Sequence, residues 1–256
     1  MKLRTITKTK IFLLIATLYS CFSYGSLIKV MSYNIRHAQG LNDKVDLKRI
    51  LEAISLVNPD FVALQEVDSL IKRSGNIDQL KYLANHLGYS YVYSPSIKYK
   101  GGFYGNGFLS RFPILNYEVL PLPGREKRSA LFVTVSAYAE EISFIATHLD
   151  LDLESAKRSI DLILKKASSI NDRNVLLLGD LNMQPTNKAM EKLLSSFQFS
   201  KELMSGPSFP SKSPQQIIDY IMLHKDCKKI QVENFFTLGS TASDHSALIA
   251  LMKINE

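Results

Sequence analysis

Residues 89–148 constrain the fold of this chain more than any other stretch. They contain five short segments rich in Val, Ile, Phe and Tyr, and turns rather than helices separate these segments. Consecutive strands joined by tight turns pair antiparallel, because a parallel pair needs a long crossover connection. The stretch therefore disfavours an alternating parallel sheet of the dinucleotide-binding type.

Helical and strand patterns alternate on both sides of this stretch. In residues 46–57 the apolar side chains recur every three or four positions, which predicts one buried helical face. Further helices are predicted over residues 76–88, 153–169 and 187–196, and further strands over residues 27–35, 61–66, 174–180, 217–223, 230–238 and 246–252. No internal repeat or linker divides the chain, so we expect one domain of two packed sheets covered by helices.

Residues 1–25 have the pattern of a secretory signal peptide. A basic start, MKLRTITKTK, precedes an apolar run that is shorter than the about 20 residues needed to span a membrane. Cleavage after Gly25 would leave residues 26–256 as the mature domain. The segment LYSC also resembles a lipobox with Cys21 as the lipidated residue, and an uncleaved anchor helix is a third alternative. The expected location is outside the cytoplasm, either secreted or periplasmic.

Net charge is a weak guide to the partner of this protein. The formal charge is +7, but the leader carries four basic residues and no acidic one, so the charge without it is +3. Cleavage after Gly25 would also leave Cys227 as the single cysteine, which excludes an internal disulfide in the mature chain. Stability must then come from packing.

Side chains with carboxylate, amide or imidazole groups stand at or beside the ends of the predicted strands. They are Asn34, Glu66, His148, Asp180, Asn182, Asp219, Asp244 and His245. Each alone is typical of a turn or a helix cap, but their recurrence predicts a shared site. Carboxylate and amide oxygens suit Mg²⁺ or Mn²⁺, whereas the scarcity of Cys and of paired His argues against structural zinc.

At these residues the sequence resembles the endonuclease/exonuclease/phosphatase superfamily. This group includes pancreatic-type deoxyribonucleases, abasic-site endonucleases, bacterial sphingomyelinases and inositol-polyphosphate 5-phosphatases. The motifs YNIR, GDLN and SDH occur in family order and span nearly the whole mature chain. The resemblance implies a four-layer, deoxyribonuclease-like α/β sandwich whose mixed, mostly antiparallel sheets are flanked by helices, with the site at one end of the sheets.

The resemblance also implies a metal site and a set of substrate contacts. The implied metal-site residues, with Glu66 as the principal ligand, are Asn34, Glu66 and Asp244. The implied cofactor is Mg²⁺ or Mn²⁺, which would stabilise the charge that builds on phosphorus. The implied phosphate- or substrate-binding residues are Asn106, Tyr104 and Arg36. A solvated or salt-bridged Arg36 is an equally good interpretation.

Five positions match the catalytic motifs of the family. The resemblance implies that Asp180 positions or deprotonates the attacking water and that Asn182 holds this water or a phosphate oxygen. It also implies that His245 donates to the scissile phosphate, that Asp219 orients His245, and that His148 is a second histidine. Asp180 and Asn182 lie two residues apart, which at the end of a strand predicts side chains on the same side.

The favoured interpretation is an exported phosphodiesterase of nuclease type, in which a Mg²⁺-activated water attacks a phosphodiester. The substrate would be nucleic acid or a phospholipid head group, and we expect a monomer with an optional peripheral contact to a membrane. The alternatives are a hydrolase of phospholipase C or sphingomyelinase type, a phosphomonoesterase acting on a sugar or inositol phosphate, and a binding module without catalysis.

Two loops bear on the choice of substrate. Residues 96–107 mix lysines with aromatic side chains, and residues 123–129 form a basic turn. Such loops can bind a nucleic-acid backbone and stack bases, lie on an anionic membrane, or be solvated. The chain has no Trp, which excludes the Trp-rich insertion hairpin of some sphingomyelinases and favours nucleic acid. Gln216 and Ile217 stand where many nuclease members have Arg, which weakens that preference slightly.

Overall fold

The computed structural model describes residues 25–171, 173–199 and 207–255. The predicted signal peptide and Cys21 therefore lie outside the described residues, apart from Gly25. Among the residues described, no helix is both long enough and apolar enough to cross a membrane.

Two six-stranded sheets form the centre of the described structure. The strands are β1 (Ser26–Asn34), β2 (Phe61–Ser69), β3 (Ser90–Tyr99), β4 (Gly102–Ser110), β5 (Ile114–Leu122), β6 (Arg128–Ala137), β7 (Glu140–His148), β8 (Val175–Asp180), β9 (Phe197–Gln198), β10 (Asp219–His224), β11 (Ile230–Leu238) and β12 (Ala247–Ile254). The first sheet has the order β11-β12-β1-β2-β4-β3, and the second has the order β5-β6-β7-β8-β10-β9.

Both sheets are mixed and mostly antiparallel, as predicted. The parallel pairs are β1 with β2 and β7 with β8, and each remaining neighbouring pair of the two sheets is antiparallel. In the stretch rich in strands, β3 pairs with β4, and β5, β6 and β7 form a meander in the other sheet. The antiparallel pairing predicted for residues 89–148 is therefore confirmed.

Four helices cover the outer faces of the two sheets in the described residues. They are α1 (Leu47–Val57), α2 (Gln79–Leu87), α3 (Leu153–Ala167) and α4 (Lys188–Ser196). Each begins after a side chain that accepts a hydrogen bond from a backbone N–H of the first turn, and these caps are Asp46, Asp78, Asp152 and Asn187. The predicted helices are confirmed to within a few residues at each end.

Three apolar layers hold these elements together. Between the sheets, the Phe144 ring centroid lies 4.6 Å from that of Phe61 and 5.0 Å from that of Phe108. A second layer joins the first sheet to α1 and α2, and a third joins the second sheet to α3 and α4. The four-layer sandwich expected from the sequence is therefore the observed fold.

Strand direction brings the predicted site residues to one end of the sandwich. The parallel strands β1 and β2 end near Asn34 and Glu66, and β7 and β8 end at His148 and Asp180. His148 stands opposite Asp180 in the sheet, and Asp180 also stands opposite the first residue of the antiparallel strand β10, Asp219. Residues far apart in the chain therefore meet at one end of the sandwich, where these central strands end or begin.

Candidate active site

Asp180 lies at the centre of this cluster of polar side chains and is almost fully buried. Its Oδ1 accepts a hydrogen bond of 2.9 Å from the backbone N–H of Asn182, and its Oδ2 accepts one of 3.0 Å from Nδ2 of Asn34. The same Oδ2 lies 3.6 Å from Nε2 of His148 and 3.7 Å from Nε2 of His245. One carboxylate thus contacts both histidines and residues from both sheets.

The backbone before and after Asp180 explains the GDLN motif. Gly179 has a φ of +149°, and a Cβ there would lie 1.8 Å from the carbonyl oxygen of Thr147, so only glycine fits. Asn182 has a left-handed φ of +52°, and its Nδ2 donates to the carbonyl of Leu149 at 2.9 Å. The side chains of Asp180 and Asn182 both approach Nε2 of His148, as predicted. A turn beyond the strand, and not strand alternation, places Asn182 there.

His245 is oriented by a carboxylate that is itself held by a hydroxyl group. The Nδ1 of His245 lies 2.9 Å from Oδ2 of Asp219, and the Ser208 hydroxyl donates to the same oxygen at 2.6 Å. Burial opposes the charge of His245, but Asp219, followed by Asp180 and Asp244, outweighs it and raises the pKa of His245 to about 9. His245 is therefore an imidazolium at neutral pH, and its Nε2 faces Asp180.

In contrast to His245, the other two central groups are shifted towards their neutral forms. Burial, followed by the negative charge of Asp219, raises the pKa of Asp180 to about 7. Burial, followed by the positive charges of Arg128 and His245, lowers the pKa of His148 well below its usual value. The site therefore pairs a protonated histidine with a neutral one, and a carboxylate that titrates near neutrality lies between them.

Glu66 occupies a bulge of β2, which turns its side chain towards the site. The β2–β4 register shifts between Leu64 and Val67, and Glu66 has a left-handed φ of +60°. Its Oε1 accepts a hydrogen bond of 3.0 Å from Asn34 Nδ2, the same nitrogen that donates to Asp180. Since one amide nitrogen contacts both carboxylates, Glu66 and Asp180 belong to the same site.

Asp244 and Arg36 form the outer side of the cluster. The Nε of Arg36 lies 3.4 Å from Oδ2 of Asp244, and the backbone N–H of Arg36 donates to Oδ1 of Asn34 at 3.1 Å. Asp244 is therefore joined to Asn34 through Arg36. Arg36 is salt-bridged in this structure, and its contact with a substrate phosphate stays a prediction.

The two remaining substrate candidates, Tyr104 and Asn106, both lie on β4. Tyr104 is close to Glu66 and Arg128, and burial, followed by the negative charge of Glu66, raises its pKa. Asn106 is buried and donates through Nδ2 to the carbonyl oxygen of Ser129 at 3.0 Å, which links the two sheets. Tyr104 thus contacts the site directly, whereas the role of Asn106 in a phosphate pocket stays a prediction.

The chemistry of these donors fits a hard divalent cation. Asp180, Asp219 and His245 offer ligand atoms that all lie within 4.8 Å of one another, which is a possible metal-binding group. The sequence resemblance implies instead a set based on Glu66 and Asn34, which are in direct contact and present oxygen atoms. Because Asp219 already orients His245, the second set leaves the hydrogen-bonded pair intact.

Sequence reasoning missed two side chains that organise this site. Ser208 holds Asp219, and Arg128 lies 3.3 Å from the Nδ1 of His148. Ser208 belongs to a loop rich in Ser and Pro, and Arg128 belongs to the basic turn of residues 123–129. The only available signal for Arg128 was its position directly before an apolar strand.

A two-sheet α/β sandwich that gathers carboxylates, amides and two histidines at one end defines a phosphoesterase class of enzyme. The chain belongs to the endonuclease/exonuclease/phosphatase family, whose sequence profile matches residues 31–245. The family assignment made from the motifs is therefore confirmed. Members of this family are hydrolases that act on phosphoesters with divalent metal ions.

Individual relatives support the fold assignment. The chain is 26% identical over 167 residues to the uncharacterized protein YbhP of Escherichia coli K12, a match that covers 60% of this chain and 66%, just under two thirds, of that relative. It is also similar to an endonuclease/exonuclease/phosphatase from Beutenbergia cavernae, with 22% identity, 90% and 72% of the two chains covered, and a TM-score of 0.74. D. rerio TDP2 complexed with a single-strand DNA product shares 16% identity over 89% of this chain and 99% of that chain, with a TM-score of 0.71.

Proposed function

We propose that this chain is an exported phosphodiesterase of nuclease type that depends on Mg²⁺ or Mn²⁺. The observation that carries the proposal is the position of Asp180, whose Oδ2 lies between the Nε2 atoms of two histidines at 3.6 and 3.7 Å. A carboxylate with a pKa of about 7 beside an imidazolium suits hydrolysis by an acid and a base near neutral pH. The leader sequence supports export.

The residues that would hold the cation are Glu66, Asn34 and Asp244. When bound, the cation supplies positive charge for the phosphoryl oxygens. In its neighbourhood, Asn34 already contributes one hydrogen bond to each of the two carboxylates, Glu66 and Asp180, which fixes their separation. This arrangement leaves the proton chemistry to Asp180 and the histidines.

Asp180 and His245 divide the proton chemistry between them. Asp180 is the acceptor for a proton of the attacking water, because its raised pKa makes it a stronger base than an exposed carboxylate. His245 carries a positive charge and donates from Nε2 to a phosphoryl oxygen, where negative charge develops during attack. Asp219 keeps the His245 ring in this orientation through the 2.9 Å contact with Nδ1.

The guanidinium of Arg73 lies between the rings of Tyr99 and Tyr104, and this arrangement supports a nucleic-acid substrate. Arg73 donates from Nε and Nη2 to the buried carboxylate of Asp68 at 2.9 and 2.8 Å. Its guanidinium carbon lies 5.3 Å from the ring centroid of Tyr99 and 5.4 Å from that of Tyr104. A guanidinium held in place can bind a phosphate, and the exposed aromatic ring beside it can stack on the neighbouring base. The TDP2 complex with a DNA product is consistent with this proposal.

Exposed apolar side chains favour a second candidate, a hydrolase of phospholipase C type. Leu70, Phe103 and Leu151 expose 56%, 43% and 78% of their surfaces on loops and strands at the same end of the sandwich as the site. Such side chains, with Lys98 and Lys100 nearby in sequence, could rest on an anionic membrane surface. The two candidates predict different substrates.

Parallel assays test the proposed function. The purified mature chain would be incubated with Mg²⁺ or Mn²⁺ and plasmid DNA, single-stranded DNA, RNA, sphingomyelin, bis-p-nitrophenyl phosphate or p-nitrophenyl phosphate. We expect metal-dependent turnover of a nucleic acid and of the synthetic diester, with loss of activity in EDTA. Turnover of sphingomyelin alone would favour the second candidate, and turnover of the monoester alone would favour a phosphomonoesterase. No turnover of any substrate would contradict a catalytic role.

We expect Tyr99→Ala to weaken binding of single-stranded DNA by about 5- to 150-fold, because stacking of one base on an aromatic ring contributes roughly 1–3 kcal/mol. Hydrolysis of bis-p-nitrophenyl phosphate, which has no neighbouring nucleotide to bind at Tyr99, should keep the wild-type kcat/KM. Tyr91→Ala is the matched control, since Tyr91 is 39% exposed and Tyr99 37%, at opposite ends of the same strand. Equal affinities of the two variants for DNA would contradict a stacking role.

A further inference from the structure

Arg128 is buried beside the site and contacts the second histidine. Its Nη2 lies 2.8 Å from Oε2 of Glu126, and its Nη1 lies 3.3 Å from Nδ1 of His148. A guanidinium has five N–H donors and no acceptor, and it does not lose its proton in proteins. In the contact between Arg128 and His148, the Nδ1 atom must therefore be the acceptor.

We infer that Arg128 is a positioning residue that fixes His148 as the neutral tautomer with its proton on Nε2. A neutral imidazole has one donor and one acceptor nitrogen, so an accepting Nδ1 leaves the proton on Nε2. His148 is then a hydrogen-bond donor to a phosphoryl oxygen of the substrate and not the base of the reaction. This inference rests on the proposed phosphodiesterase function, and it assigns the proton-accepting role to Asp180.

The surroundings of Nε2 support a binding position for an anionic oxygen. The Nδ2 of Asn182 lies 3.0 Å from Nε2 of His148 and donates to the carbonyl oxygen of Leu149 at 2.9 Å. The carbonyl fixes the orientation of this amide, so its NH₂ group and the Nε2–H group are close to each other. The Oδ2 of Asp180, at 3.6 Å, is beyond good hydrogen-bond distance. A phosphoryl oxygen placed beside the two N–H groups would accept from both.

The opposite tautomer is the competing arrangement. With its proton on Nδ1, His148 would accept from Asn182 through Nε2, but its N–H would face an N–H of Arg128 in a buried place. Each tautomer opposes one pair of donors, Nδ1–H with the Arg128 guanidinium or Nε2–H with the Asn182 amide, and losing the hydrogen bond from the buried charged group is the more costly of the two. The ion pair of Nη2 with Glu126 leaves Nη1 directed at His148, so the guanidinium keeps its donor towards Nδ1.

The tautomer can be measured directly in the wild-type protein. The chain has five histidines, and with ¹⁵N-labelled histidine the two-bond N–H correlations distinguish the two neutral tautomers and the doubly protonated ring. The spectrum of the His148→Gln variant identifies the signals of His148 by their loss. We expect an unprotonated Nδ1 and a protonated Nε2 at neutral pH. A protonated Nδ1, in either a neutral or a charged ring, would overturn the inference.

Kinetics of a double-mutant cycle test the same link. We expect Arg128→Met to lower kcat for the synthetic diester by about 10- to 100-fold, the usual cost of losing a side chain that positions an active group. Arg128→Lys should recover part of this loss, and Arg128→Met should cause no further loss in a chain that already carries His148→Gln. Additive losses would contradict a role through His148. Arg111→Met is the control, because Arg111 is also ordered by an ion pair and a hydrogen bond but follows the last residue of β4, at the end of that strand far from Tyr104.

The two measurements separate this inference from the proposed function. A protonated Nε2 in a protein without phosphodiester turnover would contradict the function and leave the tautomer assignment in place. Turnover by a protein whose His148 carries the proton on Nδ1 would contradict the inference alone. If Arg128→Met does not fold, the spectrum of the wild-type chain still decides the question.

Discussion

Asp180→Asn is expected to lower kcat for phosphodiester hydrolysis by about 10²- to 10⁴-fold, the usual contribution of a general base. Asparagine keeps the size of the side chain and can still accept the hydrogen bond from the backbone of Asn182, but it cannot take a proton from water. Initial rates with bis-p-nitrophenyl phosphate and with single-stranded DNA, each with saturating Mg²⁺ or Mn²⁺, measure the loss. Both substrates should show it, because the proton transfer is common to them.

Stability measurements separate this loss from misfolding. Between the ordinary pKa of an aspartate and about 7, the folded chain holds a proton on Asp180 that the unfolded chain has released, so the stability contributed by this group falls as the pH rises through that window. Asp180→Asn removes this ionisable group, so the Tm of this variant should depend less on pH across this window than the Tm of the wild-type chain. Asp226→Asn, at a side chain that is 73% exposed, is the control. Wild-type rates in Asp180→Asn would contradict the assigned role.

Much of this architecture was predictable from local patterns. The runs of β-branched and aromatic residues and the Asp and Asn caps of the helices act over a few positions, so they are visible in one sequence. The site residues were also predictable as a group, because Asn34, His148 and Asp180 each close a strand and Glu66 lies near the end of one. The parallel pairs β1–β2 and β7–β8 then bring these four residues to the same end of the sandwich.

The supporting residues depend on contacts that local patterns do not encode. Arg128 reaches His148 because β6 pairs with β7 with Ala130 opposite Thr147, and no feature of the basic turn indicates this register. Ser208 reaches Asp219 from another loop. The turn of Asn182 was missed for a related reason, since its left-handed φ is a property of the folded loop that strand periodicity cannot predict.

His245→Gln is the second substitution with a large expected effect, a loss of about 10²- to 10⁴-fold in kcat. Glutamine can donate a hydrogen bond but carries no positive charge, and a charged donor contributes more where negative charge develops in a site shielded from water. The wild-type enzyme should lose activity as the pH rises through about 9, because His245 releases its proton there. The variant should lack this alkaline decline, since it has no imidazole to titrate at that position.

The pH profile distinguishes a charged donor from a structural histidine. A histidine that only supports the fold would change Tm and the amount of active protein, but it would leave the shape of the profile of kcat/KM unchanged. His86→Gln is the control, because His86 lies on the surface of α2 and bonds only to the carbonyl of Tyr82 among the described hydrogen bonds. Asp180 and His245 interact, so the acid and alkaline limbs of the pH profile report the coupled pair and not the separate residues. Because Asp180→Asn removes a negative charge that favours the imidazolium, it should shift the alkaline limb to lower pH. An alkaline limb that persists in His245→Gln would contradict the assignment of the imidazolium to His245.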